Sequence, residues 1–130
     1  MSNPSIFFIP VSDNGMKLHV ITDLISTQFS AGKTVLIATP NMQVAQYVDA
    51  LLWKLPEESF LPHSIKDSVS TERIVITTQS VNWNKATILL NLCPGVSPIY
   101  QEFECIYELW DETDPSKTEL SANRKATYGI

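Results

Sequence analysis

Gly32-Lys33-Thr34 is the string most suggestive of chemistry, because Gly-Lys-Thr closes a phosphate-binding loop. That loop also needs a glycine five residues earlier, a strand before it and a helix after it. Thr27 occupies the glycine position, and the apolar pattern runs helix then strand. The N–H groups of a helix N-terminus, which would cradle a phosphate, are therefore missing from this order. Gly32 reads instead as a helix stop.

The other reactive residue types are equally dispersed. His19 and His63 lie far apart, and neither has His-x-x-x-His or Cys-x-x-Cys spacing, so no structural metal is expected. No Gly-x-Ser-x-Gly elbow is present. The turn after the first strand, Val11-Ser12-Asp13-Asn14-Gly15-Met16, holds one glycine and not the set a dinucleotide fingerprint requires. The carboxylate pairs Glu57-Glu58 and Asp111-Glu112 stand in polar surroundings, which favours a solvated face over a pKa raised for acid–base work. The expectation is a protein without cofactor or catalytic centre. A small nucleotide-binding enzyme on a Rossmann-like fold is the alternative, and it would hold its ligand at the C-terminal ends of the strands.

The elements that would position these residues follow from apolar spacing. Ser5 to Val11 is a continuous apolar run, expected as a strand buried on both faces and ended by Pro10. Leu18, Ile21, Leu24, Ile25 and Phe29 repeat at helical spacing up to Ala31. Lys33–Thr39 is a second buried strand, and Pro40-Asn41 opens a second helix. A polar link from Ser64 to Glu72 leads to strands at Arg73–Thr78 and Ala86–Cys93. A helical turn is expected near Pro98–Glu102. Phe103–Trp110 alternates as a sheet-edge strand would, and Pro115 fits the first turn of a last helix reaching towards Tyr128. Strand–helix–strand–helix with short loops predicts one α/β domain over residues 1–130, with a mostly parallel sheet and helices on both faces.

Within the second helix, Val44, Ala45, Val48, Leu51, Leu52 and Leu55 form one buried face. At roughly 100° per residue, Trp53 lies about 140° from its centre, so the core does not claim it. Trp53 is followed by the Pro-punctuated stretch Pro56-Glu57-Glu58-Ser59-Phe60-Leu61-Pro62-His63. A large aromatic off the core stripe beside such a loop is a candidate contact patch.

Charge and composition narrow the partners. The chain has 130 residues, a net charge of −5 and no apolar run near the ~20 residues of a membrane helix. Nucleic-acid binders need clustered Lys and Arg, so direct nucleic-acid contact is not expected. Glu102, Glu104, Glu108, Asp111, Glu112 and Asp114 form an acidic block, and Lys117, Arg124 and Lys125 make the following tail the one net-basic region of note. Cys93 and Cys105 read as reduced thiols of a cytoplasmic protein.

Three strings carry a resemblance to a known family. They are Gly32-Lys33-Thr34-Val35-Leu36-Ile37-Ala38, Gln46 to Trp53 ending in Asp-x-x-Leu-Trp, and Pro56 to His63. Together they resemble the chi subunit of bacterial DNA polymerase III holoenzyme. The resemblance implies a single Rossmann-like α/β domain without catalytic activity that acts as a connector, monomeric in isolation. One surface would bind the psi subunit of the clamp loader, or an accessory helicase. It falls on Trp53, Pro56, Phe60 and Pro62. A second would bind the acidic C-terminal tail of single-stranded DNA-binding protein. The resemblance puts bases at Lys117, Arg124 and Lys125, with apolar wall from Trp110 and Tyr128. One family arginine of this helix is Ser121 here.

Overall fold

The computed structural model describes residues 3–54 and 61–130. Each helix begins where a short side chain takes up amide donors that the first turn leaves free. Asp13 accepts from Met16 N at 2.7 Å and starts α1, Asn14–Ser30. Asn41 accepts from Val44 N at 2.9 Å and starts α2, Met42–Trp53. Asp114 accepts from Ser116 N and Lys117 N at 2.8 and 3.1 Å and starts α3, Pro115–Tyr128. Gly32 and Gly129 take φ of +80° and +78° just beyond α1 and α3, a backbone region that side chains strain to enter.

The strands are β1 (Ser5–Val11), β2 (Val35–Ala38), β3 (His63–Ile65), β4 (Ile74–Thr77), β5 (Ile88–Asn91) and β6 (Cys105–Asp111). They form one sheet in the order β1-β6-β5-β2-β4-β3, and every neighbouring pair is parallel. Steps from β1 to β2 and from β2 to β3 run the same way across the sheet. Right-handed crossovers then put α1 and α2 on one face. Ile21 and Ile25 of α1 and Ala45, Val48 and Leu52 of α2 pack there on Val35, Ile37, Ile74, Ile76 and Leu109. The return from β4 to β5 and on to β6 uses the other face. Leu36, Val75, Leu89 and Ile106 are covered there by Ala86, Phe103, Trp83 and Tyr100, and by Tyr128 of α3. The arrangement is three-layer α/β, as the strand–helix alternation predicts.

Five local expectations change. β1 is an edge strand and not a doubly buried one, with Phe7 half exposed. It also continues through Pro10. Ser5 N donates to Glu104 O and Val11 O accepts from Glu112 N, so odd residues of β1 bond to β6 and even ones face the open edge. The N–H that Pro10 lacks would have pointed outward, and the ladder loses nothing. β6, expected at an edge, lies inside the sheet between β1 and β5. Its alternation comes from Glu108, which is buried and paired rather than solvated. Asp111, also expected on a solvated face, is buried against Lys17. Finally, β3 falls where the sequence suggested a loop running into a polar link. Three residues are too few for a period to register.

Candidate functional site

The expected residues fall into three places. Trp53 closes α2 and is 58 % exposed, while its neighbour Leu52 is buried in the core. Its indole rests on the imidazole of His63, with ring centroids 4.5 Å apart and planes 47° from each other. His63 is held from beneath. Its Nδ1–H donates to the Leu61 carbonyl at 2.6 Å, and Nε2 lies 3.3 Å from an Asp49 carboxylate oxygen. Leu61 is itself buried, so the chain re-enters the core on one side of Pro62 and the β3 edge strand begins on the other. Pro62 is exposed between them. One indole face is thus supported, while more than half of the residue remains exposed. Pro56 and Phe60 lie outside the described residues.

Trp110, Lys125 and Tyr128 meet on the face covered by α3. Phe8 sits among them, edge-on to Trp110 at 6.4 Å and to Tyr128 at 6.1 Å. Tyr100 meets Tyr128 edge-on at 5.3 Å. Exposed Lys125 holds its ammonium 5.8 Å from the Trp110 ring, within cation–π range. Phe8 and Tyr100 were not among the expected site residues. Phe8 was hidden in a run that reads as core, and Tyr100 in a short turn.

Lys117 and Arg124 point to another side of α3, where they line a crevice of about 550 Å³. Of the two, only Lys117 is exposed. Arg124 is 7 % exposed and serves the fold. Its Nε donates to Glu108 Oε1 at 2.9 Å, Nη1 donates to Pro94 O at 3.1 Å, and Nη2 donates to Leu109 O at 2.9 Å. Glu108 also accepts from Asn91 at 2.9 Å and from the Tyr128 hydroxyl at 2.6 Å. Burial pushes the Glu108 carboxyl above its ordinary range despite these donors. Burial and the adjacent carboxylate push the Tyr128 phenol up as well. Arg124 therefore differs from the free rim base suggested by its place in the tail, because its charge is already matched inside the protein.

Ser121, where the resemblance implies an arginine, has a structural role of its own. β5 ends at Asn91, opposite Glu108, so β6 runs on without a neighbour on that side. Ser121 Oγ donates to Leu109 O at 3.1 Å and accepts from Asp111 N at 3.0 Å. A side chain of α3 thereby satisfies backbone groups that a longer β5 would have bonded.

The sheet and helices make this an α/β protein whose conspicuous feature is an aromatic held open at a helix end. The chain belongs to the family of the DNA polymerase III chi subunit, HolC, whose model matches residues 4–127. No curated protein sequence matches it. Membership makes it an accessory component of the replicative polymerase. Among the described residues, no helix is long and apolar enough to cross a membrane.

Proposed function

We propose that this chain is a non-catalytic connector of the cytoplasmic replication machinery. One surface, centred on Trp53 with Pro56, Phe60 and Pro62, takes the psi subunit of the clamp-loader complex or an accessory helicase. The other, on α3 and the end of β6, takes the acidic C-terminal tail of single-stranded DNA-binding protein. The observation that carries the reading is Trp53, a large ring 58 % exposed yet in tilted contact with a buried, hydrogen-bonded histidine. A ring held in place loses little conformational freedom when a partner covers it, which is what interface anchors require. Capture of polymerase III components from cell extract by the intact chain, and their loss with Trp53→Ala, tests it.

Support for the tail surface is electrostatic and apolar together. Lys125 lies over Trp110 beside Tyr128, and exposed Lys117 adds charge at the start of the same helix. Arg124 stiffens this wall through Glu108. A tail peptide should bind less tightly as salt rises, because exposed charges are screened. Affinity that ignores both salt and the Lys117→Ala/Lys125→Ala double substitution would remove α3 from the interface.

A further inference from the structure

The crevice beside Lys117 exists because neighbouring strands end at different heights. β5 stops at Asn91 while β6 continues to Asp111. α1 and α2 rise in front of the gap and α3 behind it. Ligands of open α/β sheets bind at such breaks, at the carboxyl ends of strands where successive connections leave for opposite faces. Here β2 leads into α2 on one face, and β6 leads into α3 on the other.

The walls are aliphatic, from Leu18, Ile21, Val44, Val48, Leu109 and Leu120. Tyr47 and Leu120, on α2 and α3, are both well exposed there. The volume of about 550 Å³ falls in the range of small-ligand sites, roughly 300–1,000 Å³. The charged lining residues are Lys17, Lys117, Arg124 and Asp111. Lys17 pairs with Asp111 at 2.7 Å, and Arg124 with Glu108 at 2.9 Å. Lys117 makes no ion pair among the described residues. In a protein of net charge −5, Lys117 puts a positive charge outside any close ion pair above an apolar floor, with the Asp114 carboxylate near enough to feel it. Asn14, the first residue of α1, adds a side-chain amide beside the Asp13 cap.

We propose that the crevice binds a small amphipathic carboxylate, with the apolar body between α1, α2 and α3 and the anionic end at Lys117. A phosphorylated nucleotide fits less well, because the lining has neither a glycine-rich turn nor a second free cation among the described residues. The crevice shares Lys117 and Arg124 with the α3 surface proposed for the tail, whereas Trp53, Trp110, Lys125 and Tyr128 do not line it.

Titration with octanoate, octan-1-ol and octylamine, followed by amide NMR of the intact chain, tests the proposal. Octanoate should shift the Leu18, Val48, Leu109 and Leu120 amides saturably, octanol less tightly, and octylamine least. Lys117→Ala should weaken octanoate about 3- to 5-fold, as for one partly exposed ion pair, and leave octanol unchanged. Leu120→Glu, at an exposed helix position, should remove both while the spectrum stays dispersed. Trp53→Ala and Lys125→Ala should leave octanoate binding intact even if partner binding is lost. Octylamine binding as well as octanoate, or shifts that never saturate, would overturn the proposal.

Discussion

Arg124 and Glu108 face each other across the α3–β6 interface at 2.9 Å, with the carboxylate fully buried and the guanidinium almost so. Removing one partner of such a pair strands a charge in a poorly solvating interior, at a cost of about 3–5 kcal/mol. Arg124→Met should lose about that much stability in urea titrations, and Glu108→Gln less, because burial already favours the neutral form of that carboxyl. Replacing both with apolar residues of similar volume should lose much less than the sum, because neither charge is left alone. Additive losses would show that the two residues act separately.

Ser121 gives a smaller effect of the same kind. Ser121→Ala leaves Asp111 N without its acceptor and removes one of two donors to Leu109 O. A buried group left unsatisfied costs about 1–3 kcal/mol, and chemical denaturation should report a loss in that range. Hydrogen exchange at the Asp111 amide should speed up in step.

The acid limb of stability depends on Asp111. Burial alone would raise its pKa, but the bonds from Lys17 and Thr113 outweigh that and hold the carboxyl below its ordinary value. A lowered carboxyl contributes stability that is complete above the ordinary value of 3.8 and is lost as pH falls through the folded value. Asp111→Asn should therefore unfold less steeply than the parent as pH drops below about 4. Glu108 has the opposite sign. Its contribution is full below 4.5 and declines as pH rises through its raised folded value. Glu108→Gln should flatten the curve from about pH 5 upward.

The open edge of β1 yields another test. Ile6 and Phe8 present outward N–H groups, and Pro10 blunts the third outward position. Pro10→Val should leave monomer stability within about 1 kcal/mol but increase self-association, measured by sedimentation across a concentration series.

Much of the frame is readable from residue order, and the reasons for the misses are specific. The apolar stripe of α2 placed Trp53 off the core, because a helix face is a local period. The inward positions of α3 are Ser121, Arg124 and Tyr128, spaced for one face but polar. A search for apolar period passes over them, and a charge count assigns Arg124 to solvent. Only the pairing with Glu108, 16 residues away, turns both inward. The interior position of β6 was masked by the same glutamate, since a buried paired acid and a solvated one look alike in a strand pattern. The crevice could not be read at all. It depends on β5 ending early relative to a neighbour that is distant in sequence.

Trp53 is the point on which the connector account rests. With the captured partner purified, its affinity for the intact chain and for Trp53→Ala should be measured by calorimetric titration beside thermal melting. The account predicts binding at least about 30-fold weaker, the equivalent of the ~2 kcal/mol typical of a central interface aromatic, with an unchanged cooperative melt. Equal affinity for the two proteins would contradict the account, and so would a variant that no longer melts cooperatively.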